Sequence, residues 1–170
     1  MLFFYVRHGF PIYDPDSLTP LGKRQAEAVG KRLAVYGVDK IFSSTSNRAY
    51  ETAKPLSELL LKSVTKLDFA NEAYAWRDLT VEDEKGKRWI FDDPEIREYF
   101  GRKDVISLGR DWHTHELFAG KSFGEGIERI QRESDSFFAS LGYEHDLENN
   151  CYRATRPNND RIALFAHQGF

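Results

Sequence analysis

Five consecutive apolar residues, Leu2-Phe3-Phe4-Tyr5-Val6, stop abruptly at Arg7-His8-Gly9. A run with no polar alternation reads as a strand buried on both faces, the state of strands in a parallel sheet covered by helices. The run is too short for the hydrophobic segment of a secretory leader and is closed by a charge. A second run of the same kind, Arg161 to Ala166, ends at His167-Gln168-Gly169-Phe170. Lys40-Ile41-Phe42-Ser43 reads as a shorter strand, and Val64 to Leu67 as another.

Helical patterns lie between these runs. Thr19-Pro20 places an N-cap threonine before a proline at the first helical position. Ala26, Val29, Leu33 and Tyr36 then recur at helical spacing up to Gly37, a residue suited to closing a helix. Ser43 to Ser46 offers caps for a second helix from about Asn47 to Leu61, in which Pro55 is expected to force a kink or a restart. Ile127, Ile130, Phe137, Phe138 and Leu141 mark an amphipathic helix closed by Gly142, and the polar Asn149 to Asp160 is expected to be a loop. The order predicts an α/β fold, a three-layer αβα sandwich around a mainly parallel central sheet. Residues 71–123 hold all three tryptophans, Trp76, Trp89 and Trp112, among charges and with weak periodicity. They are read as a partly helical insertion within a single domain spanning 1–170, a length typical of one domain at roughly 100–200 residues.

Composition narrows the function classes. A net charge of -3 gives no basic footprint for nucleic acid or a membrane surface, and neither is expected as a partner. The single cysteine, Cys151, permits no internal disulfide and points to a reducing, cytoplasmic compartment. Oligomeric state is not set by anything in the sequence.

The strand ends carry the chemistry. In open parallel sheets ligands bind beyond the carboxyl ends of the strands. Those ends hold Arg7-His8-Gly9, Ser43 to Arg48, and His167. Arginine presents a planar fork of donors matched to phosphate oxygens, and a neutral histidine can attack phosphorus. Phosphate is the natural guest of such a cluster.

Four separated segments resemble those of the histidine phosphatases, the phosphoglycerate mutase-like superfamily: Phe4-Tyr5-Val6-Arg7-His8-Gly9, Leu18 to Ala26, Ser43 to Ala53, and Ala166-His167-Gln168-Gly169. The resemblance implies a phosphoglycerate mutase-like fold and a metal-independent phosphatase without a cofactor. It implies His8 as the phosphoryl acceptor, with Arg7, Arg48 and His167 holding the phosphoryl oxygens. Glu72 stands where the family supplies a proton to the leaving group, with Glu82 and Asp83 as substitutes. Small phosphorylated substrates and inorganic phosphate are the implied partners. A mutase, a phosphohistidine-specific protein phosphatase and a non-catalytic phospho-ligand binder are the alternatives. Asp14 stands where mutase-type members have an asparagine and is expected to point away from phosphate or to play another part. Family members continue with a helix beyond the second histidine motif, so the C-terminal end is expected to be truncated. Trp112-His113-Thr114-His115, with His145, carries no recognised ligand spacing and reads as surface histidines rather than a metal site.

Overall fold

The computed structural model describes residues 1–169. From the amino end come strand β1 (Leu2–Arg7), a hairpin of β2 (Pro11–Tyr13) and β3 (Asp16–Leu18), helix α1 (Pro20–Tyr36), strand β4 (Lys40–Ser44), helix α2 (Asn47–Leu60) and strand β5 (Val64–Leu67). Helix α3 (Glu72–Asp78), the hairpin β6 (Thr80–Asp83) and β7 (Gly86–Trp89), and helices α4 (Pro94–Phe100) and α5 (Lys103–Ser107) follow. Short 3₁₀ turns lead into α6 (Phe123–Ser140), and the chain closes with the hairpin β8 (Tyr143–Asp146) and β9 (Cys151–Ala154) and then β10 (Arg161–Ala166). No described helix is long and apolar enough to cross a membrane.

The chain divides into two compact units: Met1–Glu72 together with the chain from Asp135 onward, and Ala73–Ser134. In the first, four parallel strands are ordered β1-β10-β4-β5. Their alternating side chains make two apolar faces. Phe4, Val6, Ile41, Ala163 and Phe165 pack with Leu33 of α1 and Ala53 and Leu56 of α2. On the other face Phe3, Phe42 and Ile162 meet Phe137 and Phe138, with the Phe42 and Phe137 rings edge-on at 5.1 Å. Each fully buried aromatic or aliphatic side chain contributes about 1.5–3 kcal/mol relative to exposure. Helices on both faces of a parallel sheet are the three layers the sequence predicts.

The caps follow the sequence. Thr19 accepts from the Gly22 N–H at the start of α1, and Gly37 closes that helix with φ 71°. Helix α2 runs unbroken through Pro55, where a restart or kink was expected. Tertiary packing outweighs the local penalty: Ala49, Ala53 and Leu56 are fully buried, and a Cβ on Gly30 of α1 would lie 3.1 Å from the Pro55 Cβ. The hairpins β2–β3 and β8–β9 were not anticipated. The second occupies part of the polar stretch read as loop, and its strand β9 is exposed throughout.

The second unit has its own core, in which Ile90, Ile96, Val105, Phe118 and Phe123 are buried with Phe100 and Trp112 against them. It contains most of the 71–123 stretch read as an insertion. Arg88 is tied down by Asp83 at 2.8 Å and by Asp93.

Candidate active site

The sheet register sets neighbouring strand ends side by side: Arg7 pairs with Ala166, and Phe165 with Ser43. The residues that follow these ends therefore converge. His8 leaves β1 with its N–H on the Ala166 carbonyl at 3.0 Å and is only 7% exposed. Its Nδ1 lies 2.8 Å from the Gly9 carbonyl. A carbonyl can only accept, so Nδ1 carries the proton and Nε2 keeps its lone pair. Burial, reinforced by the charges of Arg48 and Arg7, lowers the His8 pKa and keeps the ring neutral.

The turn after His8 is seated tightly on α1. A Cβ on Gly9 would stand 2.6 Å from the Gly22 carbonyl oxygen, and one on Gly22 would stand 2.3 Å from the Phe10 oxygen. Only glycine fits at either place. The Gly9 N–H donates to Thr52 Oγ1 at 3.0 Å, and that hydroxyl donates to the Arg48 carbonyl at 2.7 Å. The histidine turn is thus joined to α2 as well.

Arg48 sits in the first turn of α2, where the helix dipole disfavours a cation. Its side chain is 12% exposed and surrounded by acceptors. Nη1 donates to Asp16 Oδ1 at 2.9 Å, and Nη2 donates to Glu72 Oε2 at 2.9 Å and to His167 Nδ1 at 3.1 Å. Nε is buried with no acceptor among the described residues.

His167 is fully buried. Because Nδ1 accepts from Arg48, the ring proton belongs on Nε2, which donates to Ser44 Oγ at 2.9 Å and has Ser46 Oγ at 3.2 Å. Burial first, then the charge of Arg48, pushes its pKa down to about 3. The two histidine rings meet edge-on with centroids 5.2 Å apart. The Tyr5 hydroxyl donates to the His167 carbonyl, and burial raises that phenol to about 12.

Glu72 opens α3 at the edge of this cluster. Oε1 accepts the Gly169 N–H at 3.2 Å, and Oε2 lies 3.6 Å from His167 Nδ1. Arg7 is exposed at the end of β1, and its charge depresses both histidines. The structure thus brings His8, Arg48, Glu72 and His167 together, with Arg7 beside them. Glu82 and Asp83 lie instead in the β6–β7 hairpin of the second unit, where Asp83 is engaged with Arg88.

Asp14 is exposed at the tip of the β2–β3 hairpin, and the carboxylate that reaches Arg48 is Asp16. Asp16 escaped the sequence analysis because nothing local marks a residue whose role depends on an unforeseen hairpin. Ser46 does cap α2, as the serine cluster suggested, accepting from the Ala49 N–H. That Ser44 and Ser46 also hold His167 has no linear signature. Thr52 had one: a polar residue at a helical position one turn beyond Arg48, on the face that turns out to be buried.

Among the described residues, the ligand atoms of His8, Glu72 and His167 lie within 4.8 Å of one another and could in principle share a metal ion. Two of those residues already accept from the Arg48 guanidinium. A fixed cation at the centre suits an anionic guest rather than a metal. His115 lies beside Asp104 at 3.4 Å, and His145 pairs with Asp135 at 2.9 Å.

A strand-end histidine with an unprotonated Nε2 is flanked by guanidinium groups and a second neutral imidazole, an arrangement that suits a tetrahedral anion. A sequence profile of the histidine phosphatase superfamily (branch 1) matches residues 5–170, and the chain belongs to that superfamily. Solved structures share the fold. A mycobacterial glucosyl-3-phosphoglycerate phosphatase complexed with VO3 is 22% identical, with a TM-score of 0.56 over 97% of this chain and 74% of its own. A phosphoserine phosphatase from Entamoeba histolytica, in complex with 3-phosphoglyceric acid, is 17% identical, with a TM-score of 0.56 over 98% of this chain and 74% of its own. No curated protein matches the chain by sequence.

Proposed function

We propose that this chain is a phosphatase that hydrolyses small phosphomonoesters through a phosphohistidine on His8. The observation that carries the reading is the Nδ1 bond to the Gly9 carbonyl, which leaves Nε2 unprotonated on a neutral ring beside Arg48 and His167. Nε2 attacks phosphorus and the ester P–O bond breaks. Arg7 and Arg48 stabilise the charge spread over the equatorial oxygens. Protonated Glu72 gives its proton to the departing alkoxide. The resulting carboxylate then takes a proton from water, whose oxygen attacks phosphorus, and the P–N bond returns its electron pair to Nε2.

The arrangement at Arg48 fits this sequence. Without substrate, Glu72 accepts from Nη2 as a carboxylate. An incoming phosphoryl group competes for that same donor, and the proton that a monoanionic phosphomonoester carries passes to Glu72, which releases the arginine and arms the acid. No step calls on a metal, so turnover is expected to survive chelation. The structural relatives that hold vanadate or a phosphoglycerate support a small phosphorylated substrate. The single cysteine supports a cytoplasmic setting.

The test is rapid quenching with a ³²P-labelled ester. The parent chain should accumulate an acid-labile, base-stable phosphoenzyme and release inorganic phosphate. His8→Ala should do neither. Turnover undiminished in His8→Ala would overturn the mechanism, and an isomerised ester in place of free phosphate would identify a mutase.

A further inference from the structure

The β2–β3 hairpin grips the first turn of α2 from the side. Asp16 Oδ2 accepts the Asn47 N–H at 2.7 Å, and the Asp16 carbonyl accepts from Asn47 Nδ2 at 2.9 Å. At the other end of β3, the Leu18 N–H donates to Glu51 Oε2 at 2.9 Å. The remaining carboxylate oxygen of Asp16 is the one on Arg48 Nη1, and the Tyr13 ring of the same hairpin lies 5.4 Å from the guanidinium carbon.

From this arrangement we infer that Asp16 is a positioning residue, pinning Arg48 by Nη1 so that the opposite edge of its guanidinium, Nε and Nη2, faces the phosphoryl group. The inference rests on the function proposed above. Nε and Nη2 point their hydrogens to the same side and form the fork that matches two oxygens of one phosphate. The groups on that edge are the ones still open to exchange. Nε is buried without an acceptor, and Nη2 is shared between Glu72 and His167. The Nη1 end is different, because its carboxylate is itself anchored by a backbone N–H at a helix start. An arginine held in this way is ordered before the ligand arrives, which removes part of the cost of binding. Asp16 and Glu72 therefore divide the work: one carboxylate stays, and the other yields to substrate.

The experiment is titration calorimetry of the full chain with vanadate and with inorganic phosphate, alongside kcat and KM on an aryl phosphate. Asp16→Ala should bind vanadate about tenfold more weakly, the scale of losing one charge-assisted hydrogen bond. Asp16→Asn, which keeps the side chain's shape, should change in the same direction, and Asp16→Glu should recover most of the affinity. In an Arg48→Ala background Asp16→Ala should add no further loss. If Asp16 were only a counter-charge, its removal would tighten anion binding; unchanged or tighter binding in Asp16→Ala overturns the inference. So does an equal loss in Asn47→Ala, which loosens the hairpin and leaves the Asp16 carboxylate in place. A parent chain that binds vanadate yet releases no phosphate from any ester would defeat the phosphatase reading while leaving these binding comparisons intact.

Discussion

Arg48 Nη2 donates to His167 Nδ1 at 3.1 Å, and this one contact fixes the tautomer of the buried imidazole and forbids its protonation at that nitrogen. The proton stays on Nε2, facing Ser44. His167 is therefore a neutral ring, and the positive charge of the candidate site comes from the arginines.

The depressed histidines make stability depend on pH with a definite sign. An unfolded histidine binds a proton near pH 6.5, whereas His167 in the folded chain resists until about 3, and His8 is shifted the same way. Below 6.5 the unfolded chain binds more protons, so stability is complete above that value and is lost as pH falls toward 3. His167 alone should contribute about 1.4 kcal/mol per pH unit across that window. Thermal unfolding measured from pH 4 to 8 should show the slope, and His167→Asn should flatten it. An equal slope in the variant would mean that His167 is protonated in the folded protein.

Glu72→Gln separates proton donation from binding. Alkyl phosphates, whose leaving groups need a proton, should lose about 10²–10⁴ in kcat, the usual worth of a general acid. Aryl phosphates, whose leaving groups depart without help, should phosphorylate His8 at nearly the parental rate and lose turnover only at the later step, where Glu72 takes a proton from water. Equal losses in the rate of phosphoenzyme formation on both substrates would remove Glu72 from the acid role.

Gly22→Ala tests how firmly the histidine turn is seated. The new Cβ would stand 2.3 Å from a backbone oxygen of Phe10, with no flexible side chain to yield. Chemical denaturation should report a loss of about 1–3 kcal/mol or more, together with a fall in kcat as His8 shifts. Parental stability would show that the turn does not rest on α1.

Much of this architecture was legible in the sequence, and the remainder was hidden for identifiable reasons. The runs from Leu2 and from Arg161 announced buried strands because a strand covered on both faces has no polar alternation. Thr19-Pro20 and Gly37 marked helix ends because caps are local chemistry. His8, Arg48 and His167 were selected as residue types beyond strand ends, which the parallel register sets side by side, and Glu72 was selected by the family resemblance alone. The β2–β3 hairpin escaped because strands of three residues, one opened by Pro11, carry no periodicity. Asp16 and the Ser44 partnership with His167 escaped with it, since each is defined by a contact between segments distant in the chain. Pro55 misled in the opposite direction: a local rule was overruled by buried neighbours on α1.

The boundary between the two units has a consequence for how such a molecule can diversify. Glu72 is the final residue of the sheet-bearing unit before the chain departs, and Asp135 is where it comes back. Everything in between is therefore one continuous segment of the chain. Residues His8, Arg48 and His167 fall outside that stretch, so recombination that exchanged it wholesale would leave the side chains of the candidate site inherited unchanged.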